Sequence, residues 1–142
     1  IGGLMREGQK DEAEAIKAQV NQINNDLEAN EKAEKYLKEC NIFVLPTYFE
    51  GMPVSLLEGM AYGCACVATE VGGIPQIMTD RKDGLLILAK EVSNLKDALR
   101  ELFQNQKLQK ELGTNARKRV VENYEISKRV DRLIEIYQET CR

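Results

Sequence analysis

From Asn41 onward, short continuous apolar runs alternate with longer amphipathic stretches. Three runs, Ile42–Pro46, Cys64–Thr69 and Leu85–Leu88, are typical of strands buried on both faces of a parallel sheet. Strands that alternate with helices imply right-handed crossovers between parallel strands. The pattern therefore predicts an α/β domain with a three-stranded parallel sheet.

Helices are predicted between and after these strands. The expected helices are Val54 to about Tyr62, a short turn from Gln76 to Met78, a helix capped by Ser93 and ending near Gln104, and two more near Lys107–Tyr124 and Ile126–Cys141. Gly63 is expected to stop the first helix, because a glycine just past a helix adopts the left-handed conformation at little cost.

The first forty residues follow a different pattern. Neither glycine nor proline occurs from Gln9 to Glu39, and apolar residues recur at alternating steps of three and four, at Ala13, Ile16, Val20, Ile23 and Leu27. This spacing is a coiled-coil seam of about two heptads. It predicts one long amphipathic helix over residues 1–40, or two helices with a break near Asn24–Asn30, that packs on the domain of residues 41–142 or pairs with a second copy.

Composition excludes several classes of function. The net charge is −3, and no basic stripe with interleaved aromatic residues is present, so a nucleic-acid partner is not expected. No apolar run approaches the roughly 20 residues that span a bilayer, and Ile1–Leu4 do not form a signal peptide. These features predict a cytoplasmic protein without a membrane span.

The chain has four cysteines and no histidine. The spacing of the cysteines contains no Cys-x-x-Cys, so neither a zinc site nor another metal cofactor is expected. Cys64 and Cys66 fall on one face of a predicted strand. We interpret the cysteines as reduced and mostly buried.

Glu50–Ala61 is the stretch that most resembles a ligand site. A turn of Gly51, Met52 and Pro53 opens the predicted helix, and Glu58 lies inside it. The first N–H groups of a helix have no internal partner and favour an anion, and proline suits the first helical position. Carboxylates could accept hydrogen bonds from sugar hydroxyls, which suggests a nucleotide-sugar. Two solvated glutamates beside an ordinary turn are the alternative.

A longer set of motifs surrounds this stretch. In order, these are Ile42–Thr47 with Tyr48–Pro53, Leu57–Gly63, Val67–Thr69 with Val71–Pro75, and Asp83–Ile87. In order and spacing, they resemble the C-terminal, donor-binding half-domain of retaining glycosyltransferases of family 4, over about residues 31–142. That family has the GT-B fold of two facing Rossmann-like domains. The resemblance implies a truncated Rossmann-like sheet preceded by the long N-terminal helix.

The resemblance also implies roles for individual residues. Glu50 and Glu58 match the two glutamates of the family's Glu-x7-Glu motif: the first is the catalytic candidate near the donor sugar, and the second binds the ribose hydroxyls. The remaining donor-binding candidates are Gly51, Met52, Pro53, Val54 and Ser55 against the sugar and diphosphate, and Gly72 and Gly73 in a loop below the nucleotide. A purely structural turn at Gly72–Gly73 is an equal alternative. The expected ligand is a UDP- or GDP-sugar.

Two parts of the family pattern have no counterpart here. The acceptor-binding domain is absent, as are the arginine and lysine that hold the diphosphate, since Arg6, Lys10 and Lys17 do not lie in that motif's context. A diphosphate without these cations loses its main charge partners. We therefore expect little or no transferase activity from the chain alone.

Residues 1–30 have a resemblance of their own. The segment Ile1–Val20 is similar to the first helix of the tRNA-binding coiled-coil arm of bacterial seryl-tRNA synthetases, which suggests a chimera, natural or engineered. A divergent glycosyltransferase fragment with a chance helical match is the alternative. The return helix of that arm is missing, so no tRNA-binding role is implied. The alternative function is then a structural or dimerising α/β protein without activity.

A homodimer is expected on physical grounds. The strand at residues 42–45 would have an unpaired edge, and open apolar edges invite association. The N-terminal seam offers a second self-complementary surface, and two-fold pairing is the commonest closed arrangement.

Overall fold

The computed structural model describes residues 31–140 and, before them, residues 14–15, 18–19 and 21–22. The chain divides into two compact units, Ile1–Lys38 and Glu39–Arg142. The predicted boundary between a helix over residues 1–40 and a domain over residues 41–142 stays a prediction.

The described residues of the first unit are helical and mostly exposed. They comprise residues 14–15, 18–19, 21–22 and 31–38, and the described helical run at residues 31–39 is called here α1. The seam residues Ala13, Ile16, Val20, Ile23 and Leu27, and the possible break at Asn24–Asn30, lie outside the described residues.

The second unit is an α/β domain built on a three-stranded parallel sheet, as predicted. After α1 its elements are β1 (Ile42–Leu45), α2 (Val54–Ala61), β2 (Ala65–Thr69), α3 (Ile74–Ile77), β3 (Leu85–Ile87), α4 (Val92–Gln104), α5 (Gln106–Tyr124) and α6 (Ile126–Thr140). The strands lie in the order β1-β2-β3, and both pairs are parallel, with Ile42 opposite Ala65 and Val67 opposite Leu85. The alternation of strands and helices predicted from the apolar runs is therefore confirmed.

The central strand explains the layering of the core. All five residues of β2 are buried, and successive side chains point to opposite faces of the sheet. Cys64, Cys66 and Ala68 pack with α2 and α3 on one face, whereas Ala65 and Val67 pack with α4 on the other. The predicted common face of Cys64 and Cys66 is confirmed.

Three local predictions are wrong. β1 is half-buried rather than buried on both faces, because it is an edge strand of the described sheet. The short helix spans Ile74–Ile77 instead of Gln76–Met78, because Pro75 fits the first turn of a helix. Ser93 does not cap α4, since the cap position is Glu91 and no side chain accepts a cap hydrogen bond there.

Candidate functional site

The segment between β1 and α2, residues 46–53, is called here the Glu50 loop. It begins where β1 ends, so it lies at the carboxyl edge of the parallel sheet, where open α/β sheets bind their ligands. Within it, Glu50 is half-buried, and the neighbouring Tyr48 and Phe49 are 71% and 83% exposed. The half-burial of Glu50 separates it from an ordinary solvated surface carboxylate.

Helix α2 starts directly after the loop, and its start is open. Pro53 is the N-cap residue, with extended backbone, and Val54 is the first helical residue. The prediction that Pro53 occupies the first helical position is therefore wrong by one residue. The Pro53 carbonyl accepts from the N–H groups of Leu56 and Leu57 at 3.2 and 3.4 Å, and no side chain caps the helix start in the described part of the chain. The first backbone N–H groups are thus available to an anion.

A second loop, residues 70–73 between β2 and α3, holds the Glu50 loop in place; we call it the glycine loop. The Gly73 N–H donates to the Glu50 carbonyl oxygen at 3.3 Å. A Cβ on Gly72 would overlap that same oxygen, and a Cβ on Gly73 would overlap the Gly51 carbonyl oxygen. Gly72 also has a φ of 54°, in the left-handed region. The structure therefore brings Gly72 and Gly73 against Glu50 and Gly51, backbone to backbone.

Two threonines that the sequence did not single out support the Glu50 loop. The Thr69 hydroxyl, at the end of β2, is buried and donates to the Thr47 carbonyl oxygen at 2.6 Å. The Thr47 hydroxyl in turn donates to the Phe49 carbonyl oxygen at 3.0 Å. A threonine at the last position of a buried strand was the available signal, because a buried hydroxyl needs a nearby acceptor.

Except for Pro53, the side chains of the remaining candidates face solvent. Glu58 and Ser55 are exposed on α2, and Met52 and Val54 are 51% and 64% exposed. Pro53 is buried. In the described residues no contact joins the Glu50 and Glu58 carboxylates. The arrangement thus presents a half-buried carboxylate, an uncapped helix start and a second carboxylate on one accessible surface segment.

A cavity of 240 Å³ lies beside the Glu50 loop at the carboxyl ends of all three strands. Its lining includes Tyr48, Thr69, Leu88 and Lys90. The Lys90 ammonium lies 6.0 Å from the centre of the Tyr48 ring, within cation–π range. Lys90 is therefore a cation beside the loop that sequence reasoning missed, because its contact with Tyr48 spans two different strand ends.

A second cavity, of 380 Å³, does not involve the candidate residues. It lies between the turn at Lys82–Asp83 and helix α5. Its charged lining is already paired in part, since Arg119 and Asp83 form an ion pair at 2.8 Å. Because these charges already have partners, the larger volume of this cavity does not make it a better candidate ligand site than the Glu50 loop.

Among the described residues, no group of three histidine, cysteine, aspartate or glutamate side chains could bind a metal ion. Every helix in the described ranges is too short or too polar to be a membrane-spanning segment.

Comparison with known protein families shows which family the chain belongs to. The family model "Glycosyl transferases group 1" matches residues 1–119. The chain belongs to this family. The match begins at residue 1 and so includes the segment Ile1–Val20, whose similarity to seryl-tRNA synthetases stays a prediction.

Curated relatives of this group 1 chain include two bacterial transferases. The UDP-Gal:alpha-D-GlcNAc-diphosphoundecaprenol alpha-1,3-galactosyltransferase of Escherichia coli is 31% identical over 101 residues, covering 71% of this chain and 26% of that protein. The N,N'-diacetylbacillosaminyl-diphospho-undecaprenol alpha-1,3-N-acetylgalactosaminyltransferase of Campylobacter jejuni is 37% identical over 90 residues, covering 63% and 24%. The chain spans about a quarter of the length of these curated relatives.

Solved structures support the same group 1 assignment. Sucrose-phosphate synthase from Thermosynechococcus elongatus superposes with a TM-score of 0.70 at 25% identity, over 74% of this chain and 26% of that one. Anabaena HepE in complex with UDP superposes with a TM-score of 0.72 at 15% identity, over 94% and 38%. The second likeness shows the fold alone. The α/β architecture is that of GT-B glycosyltransferases.

Proposed function

We propose that this chain is the nucleotide-sugar donor-binding portion of a retaining glycosyltransferase of family 4, with a UDP- or GDP-sugar as its ligand. The observation that carries the proposal is the Glu50 loop, which the glycine loop holds backbone to backbone beside the uncapped start of α2. Such a helix start suits a diphosphate, and carboxylates suit sugar and ribose hydroxyls. That HepE was solved with UDP supports UDP as the first ligand to test.

Each candidate residue has a proposed role in this site. Glu50 lies near the donor sugar as the catalytic candidate, and Glu58 accepts hydrogen bonds from the ribose hydroxyls. The N–H groups of Gly51, Met52, Val54 and Ser55 face the diphosphate, while Pro53 fixes the turn. No metal is required in this arrangement, because helix N–H groups supply the positive field.

A calorimetric titration tests the binding proposal. We expect UDP or GDP to bind below millimolar concentration, and Glu58→Gln to weaken binding about 10- to 100-fold, because a hydrogen bond to a charged group contributes roughly 1.5–3 kcal/mol. Glu111→Gln is the matched control, since Glu111 is exposed on α5 and its loss should leave the affinity unchanged. A folded chain that binds no nucleotide at millimolar concentration would refute the proposal.

We also propose that the isolated chain has little or no transferase activity. Its 142 residues span about a quarter of the transferases it matches, and a single donor domain offers no facing surface to exclude water or position an acceptor. We expect UDP release from UDP-glucose or UDP-galactose to stay at the rate of a no-protein blank. Release above that blank that Glu50→Gln abolishes would contradict the proposal.

The second candidate function is a structural or dimerising protein without a ligand, including a chimera joined near residue 30. An unpaired strand edge favours association: in the described sheet, β1 pairs with β2 alone. We propose a homodimer through this edge, the N-terminal helix or both, in a cytoplasmic protein without nucleic-acid partners. Light scattering that shows a monomer at micromolar concentration would exclude the dimer. The family match from residue 1 counts against a junction.

A further inference from the structure

Two thiols from different parts of the chain meet at the amino-terminal edge of the sheet. Cys40 precedes β1 and Cys64 precedes β2, and their sulfur atoms are 2.9 Å apart although the residues are 24 positions apart in sequence. The Ala65 N–H donates to the Asn41 carbonyl oxygen at 2.8 Å, which holds the two strand entries side by side. Both cysteines are in the reduced state, and no disulfide joins them. The pair is thus held together by the backbone of the sheet.

We propose that Cys40 and Cys64 are a modification site: hydrogen peroxide oxidises them to a disulfide that closes a loop around residues 41–63. That loop contains β1, the whole Glu50 loop and α2. The inference rests on the contact between the thiols and does not depend on the proposed sugar-nucleotide function. The disulfide would form at the edge of the sheet opposite the Glu50 loop, so it would constrain the site's segment without occupying the site.

The chemistry requires two steps and one oxidant. The Cys40 sulfur, which is half-buried and therefore accessible, attacks one peroxide oxygen; the O–O bond breaks, giving a Cys40 sulfenic acid and one molecule of water. The Cys64 sulfur then attacks the sulfenic sulfur, the S–S bond forms, and a second water leaves with the Cys64 proton. In total, two thiols are oxidised to one disulfide, and one peroxide is reduced to two waters.

The difference in burial between Cys40 and Cys64 indicates which thiol reacts first. Cys64 is fully buried, and burial, followed by the hydrogen bond with Cys40, raises the pKa of Cys64 to about 12. A thiol that stays protonated at neutral pH is a poor first nucleophile, so Cys64 acts as the resolving thiol. Cys66 is not the expected partner, because it is also fully buried and its thiol donates to the Cys64 carbonyl oxygen at 3.4 Å.

Peptide mapping tests the proposal on the full chain. All samples carry Cys141→Ser, which removes the fourth cysteine, and are treated with hydrogen peroxide while folded, then alkylated and cleaved after glutamate. Cleavage after Glu39, Glu50, Glu58 and Glu70 separates Cys40 in peptide 40–50 from Cys64 and Cys66 in peptide 59–70. We expect these two peptides to be linked, with a mass two hydrogens below the sum of the masses of the separate peptides.

Cysteine variants and the melting temperature of the oxidised chain test whether Cys40 and Cys64 form the disulfide. The linked pair should disappear in Cys40→Ser, or in Cys40→Ala should the serine variant unfold, and persist in Cys66→Ala. Because closing a loop of this length restricts the unfolded chain, the melting temperature should rise by roughly 10 °C and fall again with dithiothreitol. The proposal would be overturned by any of three results: the linked peptides are lost in Cys66→Ala, Cys40 is oxidised but forms no disulfide, or neither Cys40 nor Cys64 reacts with peroxide.

Discussion

Adding a single methyl group at Gly72 should lower the free energy of unfolding by about 3 kcal/mol. Two causes combine in Gly72→Ala. The residue has a φ of 54°, which any side chain disfavours, and the new Cβ would overlap the Glu50 carbonyl oxygen. Because that oxygen belongs to the backbone, it cannot move aside as a flexible side chain would. Urea unfolding followed by circular dichroism measures the loss.

The same substitution should displace the candidate site. If the Glu50 loop moves to relieve the overlap, the Gly73 N–H to Glu50 carbonyl hydrogen bond is lost and nucleotide affinity falls with it. Gly51→Ala is the matched control, because a Cβ at Gly51 meets nothing within 4 Å and should change stability by less than about 1 kcal/mol. Equal stabilities of the two alanine variants would show that the glycine loop does not support the Glu50 loop.

Removing the Arg119 guanidinium should cost about 3–5 kcal/mol of stability, since it leaves a buried carboxylate without its cationic partner. Asp83 has a side chain only 3% exposed, and Arg119, 24% exposed, donates to it at 2.8 Å. The guanidinium also donates to the Thr79 hydroxyl at 2.7 Å and to the Gln76 carbonyl oxygen at 3.0 Å. It thereby joins α5 to the segment that links α3 and β3. Thermal and urea unfolding of Arg119→Met measure the loss.

Two controls separate this ion pair from general effects of charge. Lys118→Met removes a neighbouring cation whose side chain is 73% exposed, and exposed pairs contribute roughly 0–1 kcal/mol. Adding Asp83→Asn to Arg119→Met should restore part of the stability, because the stranded charge is then gone. A loss in Arg119→Met no larger than that in Lys118→Met would show that the pair contributes little.

The features read correctly from sequence are those encoded by neighbouring residues. Each strand of the sheet is a contiguous apolar run, so the sheet could be found without knowledge of the fold, whereas the site assigned to the contiguous motif from Glu50 to Glu58 stays a prediction. The glycine stop after α2 is confirmed for the same reason, as Gly63 has a φ of 76°.

The features that could not be predicted from sequence depend on contacts between residues that are far apart along the chain. The packing of Gly72 against Glu50, the hydrogen bond from Thr69 to Thr47 and the contact between Cys40 and Cys64 each join separate strand ends. None of them has a local pattern, because each exists only once the strands pair. The half-burial of β1 is equally a property of the assembled sheet, although its unpaired edge was expected.

The most direct test of the account is to locate bound nucleotide on the chain. In a ¹⁵N-labelled sample titrated with UDP, we predict that the backbone amide signals of Gly51, Met52, Val54 and Ser55 shift most, and that those of Gly72 and Gly73 follow because they contact the Glu50 loop. The amides of the cavity at Lys82, Asn115 and Asn123 should stay unchanged. Saturating UDP that leaves the Gly51–Ser55 amides unmoved, or that shifts the Lys82–Asn123 cavity instead, would contradict the assignment of the donor site.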